Sequence, residues 1–151
     1  MKTYTEGLKY TPRKLIYTAG PYTSHEGQFG VWKNIHKASL VAHEIMKYGY
    51  AVICPHLNTQ YLDGLEISPR DLVAQDLEMI RRSDGIVLIE GWQHSHGART
   101  EIDFCNQQKI PVYMSVADLL VNKPVFIKHI KEDVFKITQV KKWEPVIPKK
   151  R

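Results

Sequence analysis

Apolar residues along this chain fall into short solid runs, separated by longer stretches in which they recur every three or four positions. Solid runs bounded by Gly or Pro predict buried strands, and the longer period predicts amphipathic helices. Leu15 to Ala19, closed by Gly20-Pro21, predicts a first strand. Val31, Ile35, Ala38, Val41, Ala42 and Ile45 mark one face of a helix that stops near Gly49. Tyr50 to Cys54, ended by Pro55, predicts the second strand. His56 to Ile67 shows no clear period and is expected as a loop, of a length more often functional than idle. Ser68-Pro69 opens a second helix, with Ser as N-cap and Pro at the first helical position, ending near Ser83-Asp84-Gly85. Then come a third strand (Ile86 to Ile89), a loop (Glu90 to Gly97), a third helix (Ala98 to Gln108) and a fourth strand (Pro111 to Met114). Val116 to Leu120 is expected as a short helical turn, and a further helix within Val125 to Val140.

Strands alternating with helices imply an α/β fold, a parallel sheet with helices on both faces. Ligands of such sheets bind beyond the carboxyl ends of the strands, where strand order reverses. If the first and third strands are neighbours, GPYTS (20–24) and GWQHSHG (91–97) line one crevice.

Two acids interrupt the apolar stripes. Leu72, Val73, Leu77 and Ile80 define the inward face of the second helix, and Asp76 lies four residues from both Leu72 and Ile80. Ala98, Ile102 and Cys105 define that of the third, and Glu101 falls three after Ala98 and four before Cys105. Asp71, Glu78 and Asp103 point elsewhere. A buried carboxylate is costly unless paired or hydrogen-bonded, so either acid alone reads first as structural. Two on helices flanking the same strand point instead to a shared pocket. There each raises the other's pKa, an arrangement suited to glycosidic bond cleavage with one nucleophile and one proton donor. Ser95 and Gly97 precede a helix whose free N–H groups form a ready anion site, although Ser95 reads equally as a plain N-cap.

Composition adds limits. The 151 residues, 43% apolar and 25% charged, fit one domain, 1–151, with a core of about 14–140. The formal charge of +5 gathers partly in a basic tail, 141–151 (KKWEPVIPKKR). Such a tail is more often a solvated extension than a nucleic-acid contact, and the chain carries no RNP-type motif or Cys/His finger, so nucleic acid is not the expected partner. The charge also suits small phosphorylated anions. Cys54 and Cys105 are expected as free thiols. No apolar run reaches the ~18 residues of a membrane span. The opening MKTYTEGLKYTPRK has no signal-peptide stretch, so a cytoplasmic protein is expected. GxGxxG and Walker A motifs are missing, which disfavours dinucleotide redox chemistry and NTP hydrolysis. His94 and His96 read either as loop histidines or as phosphate contacts when protonated. They lack a convincing set of further ligands, so no metal and no cofactor is expected. Arg99 reads as an exposed helix arginine with a phosphate contact as the alternative.

IYTAGPYTS (16–24), Asp76 within QDLEMIRRSDGIVLI (75–89), GWQHSHGARTE (91–101) and a strand starting KIPVYM together resemble the nucleoside 2-deoxyribosyltransferase superfamily, and within it a small phage and bacterial branch. The resemblance covers about residues 15–114. It implies a Rossmann-like three-layer sandwich with a five-stranded parallel sheet, and a reaction at C1′ of a nucleoside or nucleotide. It implies that Glu101 is the nucleophile of a covalent glycosyl-enzyme intermediate and that Asp76 assists the leaving base. It places Gly20, Pro21, Tyr22, Ser95, Gly97 and Ala98 among the substrate contacts. Members acting on free nucleosides tend to carry Asp six residues before the nucleophile, and those hydrolysing 5′-monophosphates carry Ser. Ser95 therefore favours a nucleotide 5′-monophosphate, since a hydroxyl at a positive helix end holds phosphate where a carboxylate repels it. Hydrolysis and transfer to another base both remain open, and a homo-oligomer, a dimer or larger, is expected. The competing reading is a nucleotide-binding module or sensor without turnover, which would not need both Asp76 and Glu101. A nucleic-acid-binding protein that uses the basic tail is a third.

Overall fold

The structure, a computed structural model, describes residues 5–62 and 65–128. Its centre is a parallel sheet of four strands, β1 (Leu15–Ala19), β2 (Ala51–Ile53), β3 (Gly85–Leu88) and β4 (Val112–Tyr113), in the order β2-β1-β3-β4. β1 runs beside β3 with Tyr17 opposite Ile86 and Ala19 opposite Leu88, so the neighbour relation on which the crevice depended holds. The order reverses between β1 and β3, which makes their carboxyl ends the expected ligand position.

Period-two alternation divides the core into two layers. Tyr17, Ala19, Ile86, Leu88 and Val112 pack on one face with Ile80, Ala98, Ile102 and Cys105, residues of α3 (Pro69–Arg81) and α4 (His96–Gln108). Ile16, Val87 and Tyr113 pack on the other with Ile45 of α1 (Gln28–Lys47), and with Val116 and Leu119 of α5 (Val116–Leu120). With both faces covered, the strands carry few polar positions, which is why they read as apolar runs interrupted only by Thr18 of β1. No helix among the described residues is long and apolar enough to cross a membrane.

Helix ends follow the local chemistry. Ser68 caps α3: its Oγ accepts from Asp71 N at 3.1 Å and donates to Asp71 Oδ2 at 2.7 Å, and Pro69 supplies the fixed φ of the first turn. Ser95 caps α4 in the same way, accepting from Ala98 N at 3.1 Å, so this helix begins at His96 rather than Ala98.

The expected loop from His56 to Ile67 holds a helix instead. α2 (Pro55–Thr59) starts on Pro55, and five residues are too few to display a period. Val73 is exposed rather than inward, because the buried stripe of α3 runs through Asp76, Leu77 and Ile80. Val125 does not start a helix; its N–H donates to Val112 O at 2.8 Å in an antiparallel bridge beside β4. The described residues hold four strands, not the five that the resemblance implied. The rest of the helix expected in 125–140 and the basic tail lie outside them.

Two contacts fix the turn after β1 against the turn after β3. A Cβ at Gly20 would lie 2.6 Å from Ile89 Cβ, so only glycine lets the chains approach this closely. Gly91 adopts φ +92°, a left-handed conformation that glycine takes without strain, with Pro21 packed alongside. Gly20→Ala is expected to destabilise the protein by about 1–3 kcal/mol, read as a lower urea midpoint, because a β-branched side chain at 89 cannot swing clear. An unchanged midpoint would mean that the two loops separate freely.

Candidate active site

Beyond the carboxyl ends of β1 and β3 lies a cavity of about 470 Å³. Its walls come from four places. The β1 loop supplies Gly20, Pro21, Tyr22 and Thr23, and α2 supplies Pro55, His56 and Thr59. Leu72 and Asp76 come from α3, and the start of α4 adds His94 through Ala98 and Glu101. All eight residues singled out from the sequence (Gly20, Pro21, Tyr22, Asp76, Ser95, Gly97, Ala98 and Glu101) therefore line one space.

Glu101 is 8% exposed. Its Oε1 accepts a 2.7 Å hydrogen bond from the phenolic hydroxyl of Tyr17, which crosses from the central strand to the second turn of α4. Burial pushes the Glu101 carboxyl up to about 8; the Tyr17 hydrogen bond pulls the other way, and the charge of Asp76 adds to the rise. Burial also raises Asp76, to about 6, and among the described residues its buried Oδ1 has no hydrogen-bond partner. Burial, then the nearby Glu101, push the Cys105 thiol up, so it stays an inert neighbour. The charge of Asp76 is felt at Glu101, and near neutral pH the group with the higher pKa, Glu101, keeps its proton while Asp76 is largely ionised.

His56 is buried, and burial lowers its pKa. Nε2 lies 2.9 Å from Pro21 O, an atom that only accepts, so Nε2 carries the proton and the neutral ring presents Nδ1 as a bare acceptor. Nδ1 is buried without a partner among the described residues. The ring also lies 5.8 Å from that of Tyr22, tilted by 52°. Asn34 of α1 donates to Tyr22 O and Thr23 O at 3.1 and 3.3 Å, which ties the β1 loop down on its other side.

At the α4 end, Ser95 Oγ accepts from the helix and keeps its own proton to donate. A side chain at Gly97 would find Ser95 Oγ 3.9 Å away, so packing does not demand glycine there and its absent side chain leaves room over the first turn. His94 and His96 lie beside Ser95 on the cavity wall. Among the described residues no group of three or more His, Cys, Asp or Glu is placed to hold a metal ion.

Sequence reasoning missed Tyr17 and His56. Tyr17 had a signal: a tyrosine inside a fully buried strand needs a partner for its hydroxyl. His56 had only its place, just past the end of a strand that borders β1.

The family described as "Domain of unknown function (DUF4406)" matches residues 14–114. Comparison with curated proteins gave no match. Among solved structures, a conserved protein from Enterococcus faecalis V583 is 22% identical with a TM-score of 0.50, over 67% of this chain and 62% of its own. A 2-deoxyribosyltransferase from the psychrotolerant bacterium Bacillus psychrosaccharolyticus is 22% identical with a TM-score of 0.47, over 74% of this chain and 82% of its own. The chain thus spans less than two thirds of the Enterococcus protein, and that likeness is one of fold.

Burial of Glu101 has a consequence for stability. Its folded pKa, about 8, lies above the ordinary 4.5, so the unfolded chain releases this proton first and stability falls as pH rises between those values. Glu101→Gln, which keeps an acceptor for Tyr17, is expected to match the parent near pH 4.5 and to exceed it by on the order of 2–4 kcal/mol at pH 8. Urea unfolding at the two pH values measures this, and a variant no more stable at pH 8 contradicts it. By the match across the sheet, both carboxylates and the Ser95 turn, the chain belongs to the DUF4406 family.

Proposed function

We propose that this protein cleaves the N-glycosidic bond of a nucleoside or deoxynucleoside 5′-monophosphate through a covalent glycosyl–Glu101 intermediate, resolved by water or by another base. The observation that carries this reading is the single cavity holding Glu101, oriented by Tyr17, together with Asp76, whose Oδ1 lacks a protein partner among the described residues.

Tyr17 holds one oxygen of Glu101, and the other attacks C1′. As the C1′–O bond forms, the C1′–N bond breaks and its electron pair leaves with the base. Asp76, protonated, donates to the base nitrogen that receives that pair. In the second half Asp76, now ionised, takes a proton from water as the water oxygen displaces Glu101 from C1′. A second base in place of water gives transfer.

These roles require the proton on Asp76 and the charge on Glu101, whereas the higher pKa in the empty cavity belongs to Glu101. One influence turns the order round: positive charge developing on the sugar beside Glu101 favours its anion, in addition to the Tyr17 hydrogen bond that its pKa already contains.

Ser95 and the first turn of α4 suit a phosphate: a hydroxyl donor, the positive end of a helix and a glycine that leaves space for the group. The Tyr22–His56 side of the cavity is then left for base and sugar.

The test is release of free base, followed by chromatography, from a panel of nucleoside 5′-monophosphates and free nucleosides. Glu101→Ala is expected to lower turnover by on the order of 10³-fold or more, and Asp76→Asn by roughly 10²-fold or more. Ser95→Asp should weaken monophosphates about tenfold or more while sparing free nucleosides. Unchanged base release in Glu101→Ala would remove the nucleophile, and equal losses for both substrate classes in Ser95→Asp would remove the phosphate site.

pH gives a second check. With one proton required on the pair, kcat/KM rises through about 6 and falls through about 8. Tyr17→Phe removes the one influence that lowers Glu101, so the alkaline limb moves up and kcat falls about tenfold. A profile unmoved by Tyr17→Phe would show that this hydroxyl does not tune the pair.

A further inference from the structure

α1 buries Ala38, Ala42 and Ile45 against the sheet, yet its opposite face is not the polar surface usual for an outer helix. Phe29, Trp32, Leu40 and Met46 remain 56–66% exposed. At 3.6 residues per turn Phe29, His36, Leu40 and His43 run down the middle of that face. Trp32 and Met46 lie along one flank, and Lys33, Lys37 and Glu44 along the other. Four large apolar side chains left exposed along one helix face are the kind of surface that a protein contact covers.

The pattern is complementary to itself. A two-fold axis perpendicular to the helix near residue 39 sets two copies antiparallel. Leu40 then meets the partner's Leu40 beside the axis. Trp32 meets the partner's Met46, a sulfur–aromatic pair formed twice. On the charged flank Lys33 meets the partner's Glu44, also twice, as a closed two-fold contact requires. Lys37, nearest the axis on that flank, is 3.7 Å from Glu90 of its own chain, which offsets repulsion between the two copies of this lysine. Lys33 stands 4.6 Å above the Phe29 ring and 3.1 Å from Glu26, at the N-terminal end of the stripe and away from Leu40 at its centre.

We propose that this face of α1 is the interface of a homodimer of this chain, with the two helices antiparallel. The exposed stripe shares no residue with the cavity wall, so assembly and chemistry are tested separately.

The experiment is sedimentation or light scattering of the full chain at micromolar concentration, with circular dichroism to verify folding. A dimer is expected, and Trp32→Glu with Leu40→Glu should convert it to a folded monomer. Lys33→Glu and Glu44→Lys should each weaken the dimer about 3- to 10-fold, and together restore it. Should the double glutamate variant fail to fold, oxidation of Leu40→Cys decides, since a cysteine beside the axis forms a covalent dimer. A monomeric parent chain overturns the proposal, as does a dimer indifferent to Trp32→Glu with Leu40→Glu. So does a charge-reversed pair no better than its single members, or an absence of cross-linking at position 40.

Discussion

The carboxyl of Glu101, set into an apolar layer with the Tyr17 hydroxyl as its hydrogen-bond donor, is the constraint around which the rest of the site is arranged. An ionised carboxylate there without a donor would be prohibitive, and a buried tyrosine hydroxyl without an acceptor would be costly as well. Each group makes the other tolerable. The bond also requires a particular fold: β1 must lie beside β3, and the helix after β3 must return across the face toward which Tyr17 points. Parallel pairing of β1 with β3 and the α3/α4 layer meet those requirements.

Much of this was legible along the chain, for a physical reason. A strand covered on both faces has few polar positions, so β3 appeared as a solid apolar run and β1 as one interrupted only by Thr18, and Ser68-Pro69 announced α3 through ordinary capping chemistry. Asp76 and Glu101 stood out because a charge at helical spacing within an apolar stripe conflicts with burial unless something nearby answers it. Less visible were features that exist only once the chain is folded. Nothing local to Tyr17 says which acid it will meet, because the two are separated by the whole β2–α3–β3 excursion. His56 acquires its tautomer from Pro21 O, a long-range partner. α2 is shorter than the window in which a period becomes readable, and Val73 matched the helical spacing yet faces solvent because the stripe of α3 is narrow.

The two layers differ in what they leave unanswered. On the α3/α4 side the unsatisfied groups are polar and enclosed, acceptors waiting for donors in a concave space. On the α1 side, apart from the enclosed Thr18 hydroxyl, they are apolar and exposed, along a convex ridge. Concave polar walls suit a small, hydrogen-bonding molecule, and convex apolar ridges suit another folded surface.

The seam between the β1 and β3 turns, with Gly20 seated on Ile89 and Gly91 against Pro21, gives the cavity floor a fixed shape. The wall formed by α2 has a different character, because it is short and follows a strand of only three residues at the edge of the described sheet. Substitutions can therefore be absorbed on that wall while Asp76 and Glu101 keep their alignment, much as a lock is re-keyed by changing its pins and leaving the cylinder alone.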